Sequence, residues 1–211
     1  MSLRLIIIRH GESEGNAQNL FRGQMDFPLT QRGVEQAKSL AEELSKRFEI
    51  KTIYSSPLQR ARETAKIIAE KCNANLIIDE SFNNIKLGDW EGKPKNEIAQ
   101  KYPKEWKIWI TEPEKLKLKG AETLDNVQKR AVEAVKRIVN TEKEGDICIV
   151  THRAVIKPLI AGLIGITKPY FWKIHTDTAS FSVIEYEKER GFILKLLNYT
   201  DHLKEFIEEK V

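Results

Sequence analysis

The sequence predicts an α/β protein, a three-layer α/β/α sandwich around a mainly parallel, mixed central sheet. Three observations carry this. Short apolar runs rich in β-branched residues alternate with stretches of helical period through most of the chain. Two of those runs, Leu3 to Ile8 and Asp146 to Thr151, lead into a histidine, as buried parallel strands do when they deliver reactive groups at their carboxyl ends. Two later apolar runs flank a turn at Glu189-Arg190-Gly191 and read as a closing strand pair.

The first strand, Leu3-Arg4-Leu5-Ile6-Ile7-Ile8, breaks into the polar turn Arg9-His10-Gly11-Glu12-Ser13-Glu14-Gly15-Asn16. An irregular loop from Asn19 to Leu29 follows. Val34, Ala37, Leu40, Ala41, Leu44 and Phe48 recur at helical spacing, which predicts a helix over about 31–47 capped by Thr30. Lys51 to Tyr54 is a short second strand. Ser56 then reads as an N-cap with Pro57 at the first helical position and Gln59 completing a capping box. Arg60 falls in the first turns of that helix, whose buried stripe is Leu58, Ala61, Ala65, Ile68 and Cys72. Asn75 to Ile78 is a third strand.

Residues 93–120 differ in character, being Lys-rich with Pro103, Pro113, Tyr102, Trp106 and Trp109. They read as short helices inserted into a single domain spanning 1–211, either lying over the site or anchored to the core as a structural flap. Leu124 to Ile138 is a long amphipathic helix, and Ala154 to Leu163 another, with Pro158 near its start.

Bulk composition narrows the function. Apolar residues make up 41% of the 211, and 35 basic against 31 acidic residues leave a net charge of +4. So small an excess argues against a nucleic-acid partner but allows a local basic pocket. There is no apolar segment of membrane-spanning length, so neither membrane insertion nor export is expected. Cys72 and Cys148 sit in apolar patterns and read as buried free thiols, which suits a cytoplasmic location. An edge strand of the C-terminal pair offers a surface for a homodimer.

The chemistry follows from what the strand ends place together. Arg9 and Arg60 can grip a dianion's oxygens in fork geometry. His10 between them is placed to attack phosphorus as neutral imidazole. His152 can stabilise the equatorial oxygens, and Asn16 can donate an amide hydrogen bond. Gly11 lets the backbone approach a phosphate closely. No metal or other cofactor is called for, since no His/Cys cluster has ligand spacing.

Arg9-His10-Gly11-Glu12-Ser13 with Asn16 resembles the signature of the histidine phosphatase superfamily, in its phosphoglycerate mutase-like branch. Four further blocks follow in the family's order: Phe27-Pro28-Leu29-Thr30 with Gly33, Ser55-Ser56-Pro57-Leu58-Gln59-Arg60-Ala61, Gly88-Asp89-Trp90-Glu91-Gly92, and Val150-Thr151-His152. The resemblance implies that His10 is phosphorylated, that Arg9, Arg60 and His152 surround the phosphate, and that Asn16 and the Arg22-Gly23 loop contact it. His175 and His202 are expected to be structural.

Two positions depart from the family pattern. Asn84 stands where the family usually carries the glutamate that protonates the leaving oxygen; Asp79, Glu80, Asp89 or Glu12 are the substitutes the sequence offers. Arg153 replaces the glycine that commonly follows the second histidine, and either adds charge to the pocket or points into an ion pair outside it. The expected activity is metal-independent hydrolysis of a small phosphorylated metabolite through a phosphohistidine. A phosphoglycerate mutase, and a slow or inactive phosphate-ligand-binding member lacking the acid, are the alternatives.

Overall fold

The computed structural model describes residues 3–142 and 144–205. Its six strands are β1 (Leu3–Arg9), β2 (Ile50–Ser55), β3 (Asn75–Ile78), β4 (Gly145–Thr151), β5 (Phe181–Glu187) and β6 (Gly191–Tyr199), arranged β3-β2-β4-β1-β5-β6. The first four in that arrangement run parallel; β5 pairs antiparallel with β1, and β6 antiparallel with β5. The sheet is therefore mixed, and the closing strand pair is its antiparallel part.

The helices are α1 (Glu14–Ala17), α2 (Gln31–Arg47), α3 (Gln59–Cys72), α4 (Lys95–Lys101), α5 (Pro103–Thr111), α6 (Leu124–Thr141) and α7 (Arg153–Ile164). Alternation along β1 builds both outer layers. Leu3, Leu5 and Ile7 pack with α6 and α7 on one face, while Ile6 and Ile8 pack with α2 and α3 on the other. All five are buried, and each such aliphatic contributes about 1.5–3 kcal/mol. This explains why the strand reads as a continuous apolar run rather than an alternating one.

Thr30 caps α2 as expected, its side chain accepting from Gly33 N–H. Ser56 does not cap α3. That helix begins at Gln59 with Leu58 at the cap position and no side-chain cap. Pro57 keeps the preceding chain extended, and the Ser56 hydroxyl is used elsewhere, as described below. Cys148 is buried, but Cys72 is only half-buried because it ends α3, where the stripe runs out. Both thiols are free. Among the described residues no helix is long and apolar enough to cross a membrane.

Residues 93–120 form α4, α5 and a short 3₁₀ turn, Pro113–Lys115. Trp109 anchors them, with its ring 5.5 Å from Phe21, 5.4 Å from Phe171 and 5.4 Å from Trp172. The Arg22-Gly23 loop is tied to the start of the insertion through Phe21 N–H to Lys93 O (2.9 Å) and Gly92 N–H to Phe21 O (2.7 Å).

Candidate active site

Register places the two histidines together. Arg9 lies opposite Thr151 in the parallel β1–β4 pair, so His10 and His152 leave adjacent strands at the same level. Their ring centroids are 5.0 Å apart with planes tilted by 59°. Both are at the carboxyl ends of these two parallel neighbours.

The turn after β1 is fixed by backbone packed on backbone. A Cβ on Gly11 would meet the Gly33 carbonyl at 2.5 Å, and one on Gly33 would meet the Glu12 carbonyl at 1.9 Å. The Gly11 N–H donates to Thr64 Oγ1 (3.1 Å) and the Glu12 N–H to Gln36 Oε1 (2.9 Å). Gly11 thus serves the seating of this turn on α2, with its amide committed to α3.

His10 is buried, and its Nδ1 lies 2.7 Å from Gly11 O. A carbonyl can only accept, so Nδ1 carries the proton and Nε2 keeps a lone pair. Burial first, then the charges of Arg60 and Arg9, hold the His10 pKa well below the ordinary imidazole value. Burial, then Arg60, do the same to His152. Its Nε2 is 2.7 Å from Ser56 Oγ, which also accepts from Leu58 N–H at 3.3 Å. The Ser56 oxygen has a second lone pair as well as its proton, so this contact fits either tautomer of His152, whose Nδ1 is buried with no partner among the described residues.

Arg9 donates from Nη1 to Thr176 O at 2.8 Å. Arg60 is fully buried and donates to Met25 O and Gly23 O, both at 3.0 Å. Burial, with Arg22 beside it, presses its pKa down to about 9, a cost that a bound dianion reverses. Gly23 adopts φ of +49°, and a Cβ there would sit 2.3 Å from Glu91 Oε1, so no side chain fits. Its carbonyl also accepts from Asn84 Nδ2 at 2.7 Å.

The structure brings Arg9, His10, Arg22, Gly23, Asn84, His152 and Arg153 to one narrow cleft, with Lys95, Trp109 and Phe171 completing its wall. Its volume is about 40 Å³, on the order of three waters. Gly11, Asn16 and Arg60 are buried and do not line it; Asn16 Oδ1 accepts from Ser13 N–H at 3.0 Å. Among the described residues, none lining the cleft carries a carboxylate. Glu12 is held by Thr30 (2.8 Å) and Arg32 (3.3 Å), Asp79 accepts from Ser81 N–H (2.7 Å), Glu80 bonds Asn83 (3.1 Å), and Asp89 is exposed. Arg153 lines this cleft, with its guanidinium carbon 5.7 Å from the Trp172 ring. The insertion both anchors to the core through Trp109 and supplies wall residues.

Sequence reasoning missed Ser56 as the partner of His152, because a Ser-Pro pair before a helix signals a cap. It also missed Lys95, which is buried in a Lys-rich segment where charge normally marks a solvated face. His202 is structural as expected, bonding Ala179 O at 3.0 Å and stacking on Tyr199. Among the described residues no group of three or more His, Cys, Asp or Glu side chains could hold a metal ion.

The comparisons agree with this geometry. Residues 5–200 match the family model described as histidine phosphatase superfamily (branch 1). Phosphoserine phosphatase 1 of Hydrogenobacter thermophilus is 38% identical over 207 residues, covering 98% of this chain and 97% of that protein. The 2,3-bisphosphoglycerate-dependent phosphoglycerate mutase of Thermoplasma acidophilum is 32% identical over 203 residues, 96% of each. Among solved structures, Bacillus stearothermophilus YhfR superposes with a TM-score of 0.89 at 33% identity, covering 95% of this chain and 98% of that one. With a family model spanning nearly its whole length and two histidines packed together at the end of adjacent strands, this chain belongs to the histidine phosphatase superfamily, branch 1.

Proposed function

We propose that the protein hydrolyses phosphomonoesters of small metabolites through a phosphohistidine at His10. The observation that carries this reading is the fixed tautomer of His10: Nδ1–H is committed to Gly11 O, which leaves Nε2 a buried, unprotonated nucleophile between Arg9 and Arg60. The Nε2 lone pair forms the N–P bond as the ester P–O bond breaks. Arg9 and Arg60 balance the charge on the phosphoryl oxygens, and His152 donates Nδ1–H to one of them. With no carboxylate among the described residues lining the cleft, the departing oxygen takes its proton from water. A second water then attacks phosphorus, releasing inorganic phosphate and restoring neutral His10. The cations in this scheme are guanidinium groups, so activity is expected to persist in a chelator.

The reading extends to a cytoplasmic setting, supported by two free thiols, and to pairing of two copies along the outer edge of β6, which sedimentation tests. A second reading, a phosphate-ligand binder that turns over slowly or not at all, is favoured by Asn84 alone.

The deciding experiment compares turnover of an aryl phosphate with that of alkyl phosphates, phosphoserine and 3-phosphoglycerate, in the wild type and in His10→Ala. Turnover that vanishes in His10→Ala, with acid-labile and base-stable phosphate on the wild type, supports the hydrolase. Phosphate binding without turnover of any ester supports the binder. Residual activity in His10→Ala removes the nucleophile assignment.

A further inference from the structure

Asn84 is held at every polar atom but one. Its backbone N–H donates to Asn83 Oδ1 at 2.8 Å, and its backbone carbonyl accepts from Gln24 Nε2 at 3.0 Å and from Arg130 Nη2 at 3.1 Å. Its side-chain nitrogen donates to Gly23 O at 2.7 Å. That carbonyl can only accept, so the nitrogen must face it, and the free end of the amide is Oδ1. This oxygen is buried with no partner among the described residues, on a residue that is 7% exposed and lines the cleft at His10.

A phosphoryl dianion brings only acceptors to the cleft. A wall donor such as the Trp109 indole N–H, also buried and unpartnered among the described residues, suits it. An amide oxygen offers it nothing. A buried acceptor left without a donor is costly, and the four hydrogen bonds elsewhere on Asn84 keep it from turning away. The donor that Oδ1 calls for is therefore something other than the phosphoryl group. Hydrolysis requires one such molecule, water, and a cleft of about 40 Å³ is on the scale of a few waters.

We propose that Asn84 is a catalytic residue of the second half-reaction: its Oδ1 accepts one hydrogen of the water that attacks the phosphohistidine, and so aims the water's oxygen at phosphorus. The inference rests on the reading of His10 as the phosphorylated nucleophile. The new O–P bond forms as the N–P bond at His10 Nε2 breaks, and the electron pair of the broken bond returns to Nε2. One proton of the water passes to a phosphoryl oxygen. Dihydrogen phosphate leaves, and His10 is again neutral with its proton on Nδ1. The amide itself takes no proton; it contributes orientation. Asn84 thus acts on the water of the second step rather than on the leaving group of the first.

Rapid-quench measurements on the full chain follow acid-labile, base-stable phosphate from a labelled aryl phosphate, which gives formation and decay of the phosphohistidine as separate rates. Asn84→Leu has no acceptor. It should slow decay by about fivefold or more and formation by less than about threefold, so that phosphoenzyme accumulates above the wild-type level. Asn84→Asp loses the tie to Gly23 just as Asn84→Leu does, but keeps an oxygen for the water, and its decay should stay within about threefold of wild type. If Asn84→Leu does not fold, Asn84→Val takes its place against Asn84→Asp. Decay that is unchanged without the acceptor, decay slowed equally in both variants, or formation and decay slowed in proportion would each overturn the role of Asn84 alone. Turnover that survives in His10→Ala, or a chain that forms no phosphoenzyme and turns over no ester, overturns the catalytic reading with it.

Discussion

Asn84 donates its amide to the carbonyl of Gly23 at 2.7 Å, the same carbonyl that accepts from Arg60. The side chain at position 84 is therefore tied to the same loop carbonyl as Arg60, and an amide has no titrating proton to give. Its Oδ1 is buried with no partner among the described residues.

A missing general acid costs about 10²–10⁴ in rate, most where the leaving group is an alkoxide. The wild type should hydrolyse an aryl phosphate far faster than phosphoserine. Asn84→Glu should raise kcat on the alkyl ester by about tenfold or more and leave the aryl rate little changed. Comparable wild-type rates on both esters would mean that another group donates the proton.

Gly33→Ala tests the seating of the nucleophile turn. The added Cβ would stand 1.9 Å from the Glu12 carbonyl, where neither backbone segment can yield cheaply. Overpacking of this kind costs about 1–3 kcal/mol, which lowers Tm by roughly 2–12 °C in a domain of this size. A thermal melt with unchanged Tm would show that the turn is looser than its packing indicates.

Ser56→Ala removes the hydroxyl that holds His152 Nε2 at 2.7 Å and so orients the ring. A neutral hydrogen bond is worth about 1 kcal/mol, so kcat should fall by roughly five- to tenfold. The loss should be equal on aryl and alkyl esters, since it acts on the phosphoryl oxygens, and Ser56→Thr should restore part of it. A change confined to KM would remove this role.

The two histidines make stability depend on pH. Both pKa values are held well below the ordinary imidazole value, by burial first and then by Arg60. Below about pH 6.5 the unfolded chain binds protons that the folded chain does not, so stability is full above that pH and falls as acid is added. Tm should drop between pH 7 and pH 5, and His152→Gln should flatten the slope. A dianion such as sulfate, which keeps its charge across this range, should restore Tm most at the acidic end, because it favours the imidazolium form. A Tm independent of pH over this range would contradict the burial of both rings.

Much of the molecule was written in local pattern. The helix over 31–47 with its Thr30 cap, the strand over 75–78, and the strand-end positions of His10 and His152 follow from periodicity and β-branched runs, which act over a few residues. The reactive residues were legible because strand register is a local matter once β1 and β4 are adjacent. The sequence by itself also determined that no glutamate occupies position 84.

What lies between elements was decided only by the tertiary structure. Ser56 reads as a helix cap until β2 and β4 pair and bring His152 to it. The placement of Arg153 over the Trp172 ring appears only once α7 is packed in the fold. Glu12, Asp79, Glu80 and Asp89 were all open as substitutes for the missing acid until their positions turned each of them to other partners or to solvent. The Ser56–His152 contact joins residues 96 apart in the chain, and partners of that kind are chosen by packing rather than by neighbours in sequence. The sequence can therefore name the groups a site contains, while the three-dimensional arrangement alone decides which of them meet.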